Sequence, residues 1–205
     1  FFFPPHPATR DSSTSRGLGD VYKRQQIFLL IIIGMEADFG SISTGAAGIG
    51  ILYMARGFGS GFGPLVTRPL MTVERYMPYI IGLSLGGAGL LYVGVSQAEW
   101  GILTLVLVFF SHGCSGISWV FSTTLLQRRT DNDWMGRVAG TDNLIIVMVM
   151  GVSTITAGYI LEEGLVTLRE ILLVTGFVQM TVGALWILLA SPREKRFLAY
   201  ARSGF

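Results

Sequence analysis

The sequence predicts an all-α fold, a polytopic membrane helix bundle with five full transmembrane helices and one truncated helix. Three observations predict it. Of 205 residues, 51% are hydrophobic and only 14% are charged, against about 25% charged in soluble domains. The apolar residues gather in five stretches, roughly 43–66, 78–96, 100–124, 139–161 and 168–190, each near the length of about 20 residues that a helix needs to cross a bilayer. The connections between them are short, which predicts neighbouring spans that run up and down.

Each element has its own signals. The stretch 27–35 is apolar but too short to span alone. It reads as the far end of a helix whose first half is absent. Span 43–66 is rich in glycine and carries Arg56. Pro78 opens span 78–96 at a position where helices tolerate proline. Span 100–124 carries hydroxyls at Ser111, Ser115, Ser118 and Ser122, a spacing that lines them on one helical face. Span 139–161 has Asp142 just inside its start, and Trp134 before it suits a membrane interface. Pro192 follows the last span and helps to end it. The loop 125–138 reads as a solvated turn.

Charge predicts orientation. Arg68, Arg75, Arg128, Arg129, Arg137, Arg193, Lys195, Arg196 and Arg202 fall on one side, and Arg169 alone falls on the other with Glu36, Asp38, Glu99, Glu162, Glu163 and Glu170. Basic residues mark the cytoplasmic side, so the C-terminus is expected there.

The front of the chain, 1–25, is rich in Pro, Ser and Arg and has no apolar period. The string Asp20-Val21-Tyr22-Lys23-Arg24-Gln25 resembles a transposon-end sequencing adapter translated in frame. The expected division is a non-native or disordered leader at 1–25, a six-helix unit at 26–191 and a cytoplasmic tail at 192–205.

Composition also excludes function classes. A net charge of +2 gives no broad cationic face for nucleic acid. Cys114 is the single cysteine, so no internal disulfide or multi-cysteine metal site can form. The run GFGSGFGP at 57–64 lacks the G-x-G-x-x-G spacing of a nucleotide loop and follows no strand. No nucleophile–base pair, metal cluster or phosphate cradle is legible, so neither an enzyme nor a cofactor or metal is expected.

The candidate residues are of two kinds. Arg56 sits mid-span, where insertion scales put the cost of a charge at about 2.5–3.5 kcal/mol. Its helical neighbours Leu52, Tyr53, Gly59 and Ser60 make a mostly small and polar face, while Ile51, Phe58, Phe62 and Leu65 form an opposite stripe suited to lipid. Arg56, Tyr53, Ser60, Ser111, Ser115 and Ser118 are therefore candidates for a substrate path. A structural arginine and a stripe of interhelical hydrogen bonds fit the same residues. His112, beside the serine face, and Asp142 are candidates for proton coupling. A structural bond partner and an interfacial salt bridge with Arg137 are the competing readings. The second kind is packing: Gly57 with Gly61, Gly59 with Gly63, and Gly82 with Gly86 match the small-xxx-small pattern of close helix contact.

Two stretches carry a family resemblance. GAAGIGILYMARGFGSGFGPLVTR, at 45–68, is similar to the eighth helix of the drug- and siderophore-exporter branch of the major facilitator superfamily. TTLLQRRTDNDWMGRV, at 123–138, is similar to that branch's loop between helices 10 and 11. The resemblance implies the C-terminal half of such a transporter, helices 7 to 12. It also implies alternating access against a missing N-terminal six-helix half, with efflux of a small-molecule substrate across the bacterial inner membrane. The expected partners are the lipid bilayer, the missing half and the substrate, with no nucleic acid. A non-transporting membrane sensor or assembly module is the alternative.

Overall fold

The structure, a computed structural model, describes residues 30–35, 37, 39 and 45–190. The expectations for the leader, the start of the first helix, and Arg193 to Arg202 lie outside these residues. Among the described residues the fold is all-α with no strand. Helix α1 is described over 30–35. It is followed by α2 (Ala46–Thr67), α3 (Met77–Gln97), α4 (Ile102–Arg129), α5 (Asn132–Glu162) and α6 (Leu168–Leu185). A π-helical turn, Trp186–Ala190, continues α6.

Three helices are long and apolar enough to cross a membrane: Glu74–Gln97, Ile102–Arg128 and Leu168–Leu189. Helices α2 and α5, with 22 and 31 residues, have spanning length but are not among these three. In α2 the abundant glycines and Arg56 lower the mean apolarity.

The loop expected at 125–138 is mostly helix. Helix α4 runs on to Arg129 and α5 already starts at Asn132, which leaves Thr130 and Asp131 as the bend. Both bend residues are extended, and Asp133 lies in the first turn of α5, where an acidic side chain favours a helix start. The other connection, 67–77, winds into two short 3₁₀ turns, Arg68–Thr72 and Glu74–Tyr76.

The helices pack in the order α2–α4–α3–α6, and glycine decides how close they come. A Cβ on Gly59 would strike the Phe109 carbonyl, and one on Gly63 would strike the Gly113 carbonyl. Gly116 lies against the Ser60 carbonyl in the same way. That carbonyl is also the one deprived of its helical donor, because Pro64 inside α2 has no N–H. Between α3 and α6, Gly89 faces the Gly176 carbonyl and Gly183 faces the Gly82 carbonyl. Removing the Cβ lets two backbones touch, and dispersion and weak C–H···O contacts hold the pair where lipid offers no hydrophobic drive. Between α3 and α4 the contact is by side chains, with Cys114 Sγ against Gly87 and Leu107 against Gly94.

Two apolar clusters close the ends. Near the α3–α4 turn, Ile33, Phe39, Leu52, Val95, Val108 and Leu172 gather α1, α2, α3, α4 and α6. At the opposite end Met77, Ile81, Phe121 and Leu125 join α3 to α4. Side chains then pin α6. Arg169 Nη1 donates to the Ser96 and Ala98 carbonyls, each at 2.8 Å, and its guanidinium lies 4.7 Å from the Trp100 ring centre. At the far end Trp186 Nε1 donates to the Pro78 carbonyl at 2.9 Å. Helix α5 is different. Among the described residues it makes at most marginal contact with the other helices, and Leu161 near its C-terminal end is where it meets the first cluster.

Candidate functional site

Arg56 stands at the middle of α2, half-buried, with its guanidinium carbon 5.8 Å from the ring centre of Tyr53. Of the stripe suited to lipid on the same helix, Phe58, Phe62 and Leu65 are exposed, whereas Ile51 is half-buried and packs against the first apolar cluster. A shallow apolar groove of about 350 Å³ lies on that side, bounded by Met54, Phe58 and Phe62 of α2 and by Leu105 and Phe109 of α4. Arg56 is thus set apart from the apolar surface of its own helix.

Two polar residues stand on neighbouring helices, Tyr92 of α3 and His112 of α4. These two meet directly. The Tyr92 hydroxyl and His112 Nε2 are 3.3 Å apart, and the rings stand edge to face with centres 6.1 Å apart. Ser111, the residue before His112, is fully buried. Its hydroxyl has no hydrogen-bond partner among the described residues. An imidazole and a phenol therefore meet across α3 and α4, while Arg56 lies over the phenol of Tyr53 on α2. Among the described residues no carboxylate lies within ion-pair distance of Arg56.

The other sequence candidates separate. Ser60 donates back to the Arg56 carbonyl at 2.9 Å, so its hydroxyl serves its own helix. Of the serine stripe, Ser118 is buried, Ser115 is half-buried, and Ser122 is exposed and bonded to the Trp119 carbonyl at 3.0 Å. Asp142 is exposed on α5, away from the packed layer. Arg137, its expected salt-bridge partner, lies instead over the Trp134 ring at 5.0 Å. The glycines also divide. Gly59, Gly63 and Gly82 lie in the tight seams, and Gly183 abuts the backbone of Gly86. Gly57 and Gly61 face open space.

Tyr92 and the Arg169–Trp100 clasp were not among the sequence candidates. Tyr92 had one available signal, a phenol inside a mostly apolar helix, and Tyr79 on the same helix carries the same signal. Arg169 was legible only as the single basic residue on its side. No group of three His, Cys, Asp or Glu residues suited to a metal occurs among the described residues. No known protein family, curated protein or solved structure matches the chain.

Proposed function

We propose that this chain is the C-terminal six-helix half of a major facilitator superfamily transporter that moves a small organic molecule, by efflux, across a bacterial inner membrane. The observation that carries the reading is Arg56, a half-buried cation at the middle of α2 with no carboxylate in ion-pair distance among the described residues. A cation without a carboxylate partner is costly at membrane depth and is a functional feature by default. In this reading α2 spans, and the middle of that helix falls at the depth where alternating-access transporters bind substrate.

Two further features support the reading. Among the described residues helix α5 has nearly its whole length without a helical neighbour, as a helix lining the contact with a second half would. In this reading α2 and α5 also span, which makes five full spans, and the basic end is cytoplasmic. At that end Arg75 lies over Tyr76 and Arg137 over Trp134, the aromatic and basic pairing typical of a membrane interface.

The test is efflux by the full-length protein with Arg56→Lys and Arg56→Gln. Lysine keeps the charge but loses the planar fork of donors. Both variants are expected to reach the membrane at normal abundance and to lose at least about tenfold in efflux, the equivalent of about 1.4 kcal/mol. Normal efflux in both would remove Arg56 from the mechanism. Orientation is checked separately, with Cys114 replaced and single cysteines at 132 and 165. In intact cells position 165 is expected to label from outside and position 132 is not.

A further inference from the structure

We infer that the groove between α2 and α4, together with Arg68 and Arg128 beyond its end, is a site for one phospholipid with an anionic headgroup. The inference goes beyond the transport reading and rests only on that part of it in which α2 spans the bilayer.

The groove is the first observation. Gly59 and Gly63 bring α2 onto the backbone of α4. The larger side chains beside that seam stand apart and leave a groove of about 350 Å³. Phe62 of α2 and Phe109 of α4 meet across the two helices, with ring centres 5.6 Å apart. Every residue that lines the groove is apolar, so it suits an acyl chain and offers nothing to a polar group. The apolar stripe does not stop there. Leu65 follows Phe58 and Phe62 on the same helical face and is exposed.

The second observation is what lies where α2 ends. Arg68 opens the 3₁₀ turn Arg68–Thr72 directly after the helix. The ten residues from Phe58 to Arg68 rise about 15 Å, the hydrocarbon thickness of one leaflet. A lipid with its tail in the groove therefore has its headgroup at the level of Arg68. A second cation is fixed to the same turn. Arg128, in the last turn of α4, donates from Nη2 to the Met71 carbonyl at 3.3 Å. Met71 is anchored in turn, packed against the cluster of Met77, Phe121 and Leu125.

Charge then selects the headgroup. Arg68 and Arg128 are exposed. Glu74, Asp131 and Asp133 lie near them in sequence, yet among the described residues no carboxylate pairs with either arginine. A guanidinium fork matches a phosphate. Two unpaired cations favour a net negative headgroup over a zwitterionic one, by roughly fivefold in affinity for each arginine at a membrane surface.

The experiment uses the full 205-residue chain in detergent, with helix content verified by circular dichroism and bound lipids counted by native mass spectrometry. Three probes are titrated: dioleoyl phosphatidylglycerol, dioleoyl phosphatidylcholine, and glycerol phosphate, which is a headgroup without tails. Phosphatidylglycerol is expected to bind at least about tenfold more tightly than phosphatidylcholine, and glycerol phosphate is expected not to bind in that range. Arg68→Gln and Arg128→Gln are each expected to weaken phosphatidylglycerol by roughly fivefold and to leave phosphatidylcholine unchanged. Arg128→Lys keeps the charge and is expected to recover most of that loss. Ala55→Phe fills the groove without touching the charges and is expected to weaken both lipids while keeping their ratio. Equal binding of the two lipids overturns the proposal, as does glycerol phosphate bound as tightly as phosphatidylglycerol. So does a folded Arg68→Gln/Arg128→Gln chain that keeps the preference, or an Ala55→Phe chain that binds phosphatidylglycerol as the wild type does. Spanning is tested apart in cells carrying the full-length protein, by labelling single cysteines at 43 and 72 with Cys114 replaced. Labels on opposite sides without a lipid preference would sink the lipid site and leave the spanning reading standing. Labels on one side would sink both.

Discussion

Helices α3 and α6 form the most completely fastened pair in the molecule, and α5 is the least fastened helix. Both regions carry repeated glycines, and α5 has Gly136, Gly140, Gly151 and Gly158. Yet every glycine of α5 faces open space, while Gly82, Gly89, Gly176 and Gly183 lie against backbone of the opposite helix. Glycine on one helix permits close approach. It becomes a seam when a second helix presents glycine at the matching heights and polar side chains hold the ends in register. Arg169 does this at one end of α3–α6 and Trp186 does it at the other.

The largest effect that would break this comparison is steric. In Gly183→Leu the new side chain would meet the backbone of Gly82 and Gly86, an overpacking cost of about 3 kcal/mol. Gly151→Leu on α5 meets no neighbour and is expected to change stability by less than about 0.5 kcal/mol. Thermal unfolding of both variants in lipid measures the difference. Equal effects would show that α5 is packed in the membrane as tightly as α6.

The next effect is at the Arg169 clasp. Arg169→Ala removes two bonds to carbonyls and the contact with Trp100. Because the arginine is exposed, solvent takes up part of the loss, and the expected cost is about 1–2 kcal/mol. Arg169→Lys cannot serve both carbonyls with one planar fork and is expected to recover less than half. Hydrogen exchange at the α3–α4 turn, around 98–101, reads the loosening directly. The smallest effect is at the other pin. Trp186→Phe keeps most of the ring and loses the indole N–H to Pro78, at a cost of about 1 kcal/mol. Faster exchange confined to the first turn of α3 is the signature. Loosening over all of α3 would mean that the two pins act as one unit.

Much of the fold was legible in the sequence because lipid-length apolar runs are a one-dimensional signal. The five stretches correspond to helices α2 to α6, although the bend at 125–138 was misread as a solvated loop. Its charged residues are continuous with two helices, since a polar stretch can cap or extend a helix as well as interrupt it. Part of the site was legible too. Arg56 stood out as a charge within an apolar run, and Ser111 and His112 stood out beside a stripe of hydroxyls. What the sequence left open was which hydroxyls turn outward from their own helix. Ser60 satisfies its helix backbone and Ser111 does not, and both patterns have the same spacing.

By itself, then, the sequence determined that this is an all-α chain with membrane-length helices and a single cation in the middle of one of them, because composition and periodicity depend on nothing beyond the local chain. The tertiary structure decided the pairings. Glycines at 57 and 61 and at 59 and 63 share one spacing on one helix, and only the position of α4 selects the second set. Tyr92 joins His112 across 20 positions of sequence, a contact that exists because α3 and α4 pack side by side. Which face of α2 meets α4 is a property of the two helices together, and no single stretch of sequence contains it.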